Sequence, residues 1–104
     1  MIDETWTALA DPHRRAVLAV LRDRPAAVGE LVERLGVTQP TASKHLRVLR
    51  EAGLVRVRKD AQRRIYTIDP GPMAELDAWL RPYRRLWNEH LDALGRHLDD
   101  ERED

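Results

Sequence analysis

Residues 37 to 55, Val-Thr-Gln-Pro-Thr-Ala-Ser-Lys-His-Leu-Arg-Val-Leu-Arg-Glu-Ala-Gly-Leu-Val, decide the fold. Thr38 supplies a hydroxyl to cap a helix start, and Pro40 is tolerated there because the first helical N–H groups have no intrahelical partner. Ala42, Leu46 and Leu49 recur at i, i+4 and i+7, so they share a face that a core must cover. Gly53 stands where a helix end favours a left-handed residue. At about 100° per residue, Pro40, Thr41, Ser43, Lys44 and Arg47 fall on the half facing away from that core, with Gln39 in the first turn. His45 lies on the shoulder between the two faces. A short capped helix with a cationic, hydrogen-bonding outer face is built to reach base edges and phosphates together.

Immediately upstream, Glu30-Leu31-Val32-Glu33-Arg34-Leu35-Gly36-Val37 reads as a two-turn helix closed by a glycine turn, so residues 29–52 form a helix-turn-helix. Downstream, Leu54 to Lys59 and Arg63 to Ile68 alternate basic and apolar residues around the polar turn Asp60-Ala61-Gln62. That pattern predicts a hairpin over 54–68 with its arginines near the tip. Helix-turn-helix followed by such a hairpin is a winged helix. The expected fold is therefore mainly α with a small β-hairpin wing.

Ordered along the chain, Ala8-Leu9-Ala10-Asp11-Pro12-His13-Arg14-Arg15-Ala16-Val17-Leu18, then Gly29-Glu30-Leu31 through His45-Leu46, then Leu49-Arg50-Glu51-Ala52-Gly53-Leu54-Val55, resemble the ArsR-type winged-helix repressors. The resemblance runs from the first helix to the second strand of the wing. It implies a homodimeric transcriptional repressor with dimerisation helices at both ends of the domain that releases DNA on sensing a signal, and autoregulation is expected of it in the manner of members that bind near their own gene; the two-fold symmetry of such a dimer predicts an inverted-repeat operator.

Charge distribution points the same way. The 104 residues carry no net charge, but residues 1 to 68 hold 13 basic against 8 acidic side chains and residues 69 to 104 hold 5 against 10. Within 38 to 64, Lys44, Arg47, Arg50, Arg56, Arg58, Lys59, Arg63 and Arg64 are opposed only by Glu51 and Asp60. Such a patch suits phosphate binding with counterion release. The expected DNA-binding residues are Thr38, Gln39, Pro40, Thr41, Ser43, Lys44, His45 and Arg47 on the helix and Arg58, Lys59, Gln62, Arg63 and Arg64 on the wing.

Scaffold surrounds this unit. Thr5-Trp6-Thr7-Ala8-Leu9 predicts a short first helix; Asp11 caps a second, with Pro12 at its first position, Ala16, Val17, Val20 and Leu21 as its apolar stripe, and an end near Arg24-Pro25. After the wing, Asp69-Pro70-Gly71-Pro72 breaks the chain and leads into a helix over 72–98. Pro82 inside it predicts a kink or a restart. Met73, Leu76, Leu80, Tyr83, Trp87, Leu91, Leu94 and Leu98, broadened by Trp79 and Leu86, make a stripe too wide for one small subunit to cover. A homodimer interface through Trp6, Leu9, Trp79, Leu80, Tyr83, Leu86, Trp87, Leu91 and Leu94 is expected. Residues 1–98 then form one domain, and 99–104 a frayed acidic tail.

Neither cofactor nor metal is expected. Cysteine is absent, so no disulfide or thiolate site exists. His90 and His97 share a helix face but lie about two turns apart, too far for one ion within a chain; a zinc ion between subunits would need both copies. Metal-sensing members of the resembled family carry Cys-Val-Cys where this chain has Ala27-Val28-Gly29. His13, in the first turn of the second helix, reads as solvated or as a neighbour of the DNA backbone.

No glycine-rich phosphate loop, cysteine nucleophile or close acid–base pair suggests an enzyme. No apolar run has membrane-spanning length and no signal peptide precedes Asp3-Glu4, so a cytoplasmic location is expected. The competing reading is a winged helix used as a protein-interaction module, with Trp79 and Trp87 as its contact surface. That module would have no need of the cationic patch. No residue set identifies a small-molecule effector.

Overall fold

The computed structural model describes residues 2–102, with side chains described through Asp99. Among the described residues five helices and three strands follow one another: α1 (Ile2–Leu9), α2 (Pro12–Asp23), β1 (Ala26–Ala27), α3 (Val28–Leu35), α4 (Gln39–Glu51), β2 (Val55–Asp60), β3 (Arg63–Ile68) and α5 (Pro70–Arg102). This is a winged helix-turn-helix: α3 and α4 form the helix-turn-helix and β2–β3 the wing.

Caps fix the ends of the central elements. The Asp11 carboxylate accepts from the backbone N–H groups of His13 at 2.7 Å and Arg14 at 3.4 Å. Thr38 Oγ1 accepts from the Thr41 N–H at 3.3 Å and donates to Thr41 Oγ1 at 2.9 Å. Ala27 begins α3 without a side-chain acceptor, so only half a capping box exists there: Glu30 Oε1 accepts from the Ala27 N–H at 3.4 Å. Gly36 closes α3 at φ 66°. At the end of α4, the Gly53 N–H bonds the Arg50 carbonyl and the Leu54 N–H bonds the Leu49 carbonyl, both at 2.9 Å, with Gly53 at φ 78°. That is a Schellman closure, and it delivers the chain directly into β2.

Ala42, Leu46 and Leu49 are buried as their spacing demands, beside Leu31 of α3, Val17, Leu18 and Leu21 of α2, and Leu54 and Val55 at the start of the wing. In α2 the buried stripe includes Leu18, while Ala16 and Val20 are only partly covered. Arg14 and Arg15 fasten α1 to α2, donating to the carbonyls of Ala8 at 2.7 Å, Thr7 at 3.0 Å and Leu9 at 2.7 Å. These bonds serve carbonyls of the last turn of α1, where the helix itself supplies few donors.

Several expectations are corrected. The sheet has three antiparallel strands in the order β1-β3-β2, because Ala26 and Ala27 pair with Tyr66 and Ile65 on the free side of β3. Two alanines carry no alternation from which a strand could be read. The wing turn is tighter than expected, with Asp60 paired opposite Arg63 and only Ala61 and Gln62 between strands. Helix α3 starts at Val28, two residues before the expected start.

The largest differences lie in α5. It starts at Pro70, where Asp69 Oδ1 accepts from the Gly71 N–H at 2.9 Å, and it neither restarts at Pro82 nor frays at residue 99. Pro82 and Ala78 are exposed, and the helix runs through the proline although it removes the N–H that would bond the Ala78 carbonyl. The expected frayed tail is helical through Arg102; the remainder of that segment, residues 103 and 104, lies outside the described residues.

Candidate nucleic-acid interface

The N-cap at Thr38 aims the first turn of α4 outward, and burial of Ala42, Leu46 and Leu49 fixes its rotation. Gln39, Pro40, Thr41, Ser43, Lys44 and Arg47 are consequently all exposed on one side. The Thr38 and Thr41 hydroxyls are bonded to one another, which commits the Thr38 hydroxyl to the cap. On the wing, the β2–β3 register sets Arg58 opposite Ile65 and Lys59 opposite Arg64. Arg50, Arg58, Lys59 and Arg64 line one shallow depression between the end of α4 and the hairpin. The helix and the wing thus present a continuous cationic surface. Arg50 belongs to it, although in the sequence it stands out only as one more positive charge.

Lys44, Arg47, Arg50, Arg58, Lys59 and Arg64 have no ion-pair partner among the described residues, so their charge faces solvent. Two other cations of the stretch are engaged. Arg63 Nη2 contacts Glu30 Oε1 at 2.9 Å, and Arg56 Nε contacts Asp69 Oδ2 at 2.9 Å. Arg63 therefore ties the root of α3 to the wing. Gln62 sits exposed in the turn beside Ala61, whose φ of 57° is a left-handed conformation for a side chain that disfavours it.

His45 turns toward α2. Its ring stacks on His13 with centroids 5.8 Å apart and planes 6° from parallel, and its Nδ1 is buried without a hydrogen-bond partner. An unsatisfied buried nitrogen costs about 1–3 kcal/mol. Asp11 completes the group, with Oδ1 at 3.3 Å from His13 Nδ1. The His13 N–H bond holds the Asp11 carboxyl below the usual carboxylate range, with the Arg14 N–H, the Arg14 guanidinium and His45 acting in the same direction. Sequence pattern does not reveal this juxtaposition, because Asp11 and His13 begin one helix and His45 is the seventh residue of another. Only packing of α2 against α4 brings them together.

A second surface is formed by α1 and α5. Trp6 of α1 meets Trp79 of α5 edge to face at 5.5 Å, and Trp79 meets Tyr83 at 4.9 Å. Leu9 and Leu80 are partly buried beside them, whereas Leu86, Trp87, Leu91 and Leu94 lie exposed along the projecting half of α5, Leu86 at 65% and Leu91 at 61%. Met73 packs on the core, so the start of α5 belongs to the body of the domain. Among the described residues no helix is long and apolar enough to cross a membrane.

Comparison with known proteins agrees with this geometry. Residues 9–58 match the family model described as a helix-turn-helix domain. The chain is 41% identical over 102 residues to the HTH-type transcriptional regulator Rv2034 of Mycobacterium tuberculosis, covering 98% of this chain and 92% of that protein. It is 39% identical over 80 residues to the transcriptional activator HlyU of Vibrio cholerae, covering 77% and 71% respectively. Among solved structures, an ArsR-like transcriptional regulator from Rhodococcus sp. RHA1 superposes with a TM-score of 0.74 at 25% identity, over 89% of this chain and 88% of that one.

Proposed function

The chain belongs to the ArsR family of helix-turn-helix transcriptional regulators, which are DNA-binding proteins and not enzymes, and from that premise we propose that it works as a homodimeric repressor on an inverted-repeat operator. The observation that carries this reading is the unpaired cationic surface shared by α4 and the wing. In the proposed complex the start of α4 enters the major groove, with Gln39, Thr41, Ser43 and Lys44 at base edges. Thr38, Pro40 and Arg47 flank them, and Arg58, Lys59, Gln62 and Arg64 follow the backbone or the minor groove. His45 and Arg63 act as supports, His45 against α2 and Arg63 through Glu30. The helix-turn-helix, the wing and α5 act as one unit, with α5 as the dimerisation helix.

Dimerisation is supported by the exposed apolar row on α5 together with the ring array that ties Trp6 to Trp79 and Tyr83. A partner subunit laying its own α5 along this row would cover it, and two-fold symmetry would then set two recognition helices about 34–36 Å apart. Repression follows if the dimer occupies a promoter. HlyU is named an activator, so the sign of the effect depends on where an operator lies relative to the promoter.

Selection of binding sites from random duplex DNA tests the proposal. The expected result is an enriched imperfect inverted repeat with half-sites about one helical turn apart, bound by two chains. A selected pool without any shared motif, bound with the same affinity as random DNA, would sink it in favour of a protein-interaction module.

A further inference from the structure

We propose that Asp11, His13 and His45 form a binding site for a divalent first-row transition ion, zinc or a close chemical relative, with water in the fourth position. One ligand atom from each residue lies within 4.8 Å of the other two, and Asp11 Oδ1 and His13 Nδ1 are already 3.3 Å apart. Ligand atoms around a tetrahedral zinc ion lie about 3.3 Å from one another, given zinc–nitrogen bonds of about 2.0–2.1 Å. The group is therefore loose by an ångström or so. Two imidazoles and a carboxylate are a donor set that suits zinc, nickel or cobalt and suits magnesium or calcium poorly.

Parallel rings do not aim their in-plane lone pairs at a single point, so at least one imidazole must turn to bind. His13 can do so: it is exposed, and nothing fixes its ring apart from the Asp11 contact and the stacking. His45 is the opposite case. Its ring is only partly exposed and stacks against His13, with Nδ1 buried and without a hydrogen-bond partner, so it is the fixed ligand toward which His13 would turn.

Asp11 keeps its role as the cap of α2, since its carboxylate has lone pairs beyond those used by the two N–H groups. A bound ion would cross-link the start of α2 to the recognition helix and so be felt at the DNA face. That consequence rests on the proposed function; the ion site does not.

Cobalt(II) titration of the full chain, followed by visible d–d absorption, and zinc competition against it test the site without DNA. One ion per chain is expected at micromolar metal. His13→Ala and His45→Asn should each weaken binding tenfold or more, with far-UV circular dichroism verifying that both variants stay folded. The double variant His90→Ala/His97→Ala should bind as the parent does. Unchanged affinity in folded His13→Ala, loss of binding in the His90/His97 double variant, or no binding by the parent at micromolar metal would each overturn the proposal.

Discussion

Gln39 and Arg64 represent two ways in which a single side chain can serve the proposed complex. Gln39 occupies the first turn of α4, exposed and free to make a bidentate contact to an adenine edge. Gln39→Ala is expected to cost about 1–3 kcal/mol on the selected site and to relax base preference at one position per half-site. Arg64→Ala should weaken selected and random DNA by similar factors and make the salt slope shallower by about 0.9 for each phosphate it no longer neutralises. Arg63→Ala should do much less of this, since Glu30 already holds that guanidinium. Titrations at several salt concentrations decide it, and relaxed base preference with an unchanged slope for Arg64→Ala would reverse the assigned roles. Asp69 gives a pH dependence. The Gly71 N–H and then the Arg56 guanidinium hold its carboxyl below the usual carboxylate range, so the stabilisation it brings is complete above the unfolded value and disappears as pH falls through the lower folded one. Melting temperatures measured from pH 6 to pH 2 should fall less steeply for Asp69→Asn than for the parent. Parallel curves would remove Asp69 from the acid response.

At the scale of the element, the wing carries a local conflict that its neighbours outweigh. Ala61 adopts φ 57° in a two-residue turn, where glycine would meet no steric penalty. Six paired positions, from Val55 with Ile68 to Asp60 with Arg63, fix the register and hold the turn in that conformation. Replacing Ala61 by glycine should stabilise the protein by about 0.5–1 kcal/mol in chemical denaturation, the relief of strain exceeding the added chain entropy. A destabilisation would mean that the alanine conformation is not strained. The end of α4 shows the reverse arrangement. Gly53 at φ 78° is what lets Leu54 bond back to Leu49 and enter β2 at the angle that buries Leu54 and Val55.

For the whole molecule, shape separates the two surfaces. The Cα radius of gyration is 18.4 Å with extents of 62 × 31 × 22 Å, whereas a compact chain of this length has a radius of about 13 Å. Projection of α5 accounts for the excess. Leu91→Glu, at an exposed position, should leave the fold of the subunit intact by circular dichroism while abolishing the dimer in sedimentation. Without a second half-site, affinity for the inverted repeat should drop at least tenfold, about 1.4 kcal/mol. A Leu91→Glu protein that sediments as a dimer would move the interface elsewhere.

The winged helix-turn-helix was legible because its determinants are local. Thr38 and Asp11 as caps, Gly36 and Gly53 at helix ends, the i, i+4, i+7 spacing of Ala42, Leu46 and Leu49, and the alternation on either side of Ala61 act within a few residues of the chain. They fixed the outward face of α4 as well, since the buried face of an amphipathic helix dictates the exposed one. Only the tertiary structure decided the pairing of β1 with β3, the capture of Arg63 by Glu30 and the meeting of Asp11 and His13 with His45. Each joins residues distant in sequence, and local pattern carries no information about which distant side chain a group will meet; that choice is made when α2, α4 and the sheet pack around one core.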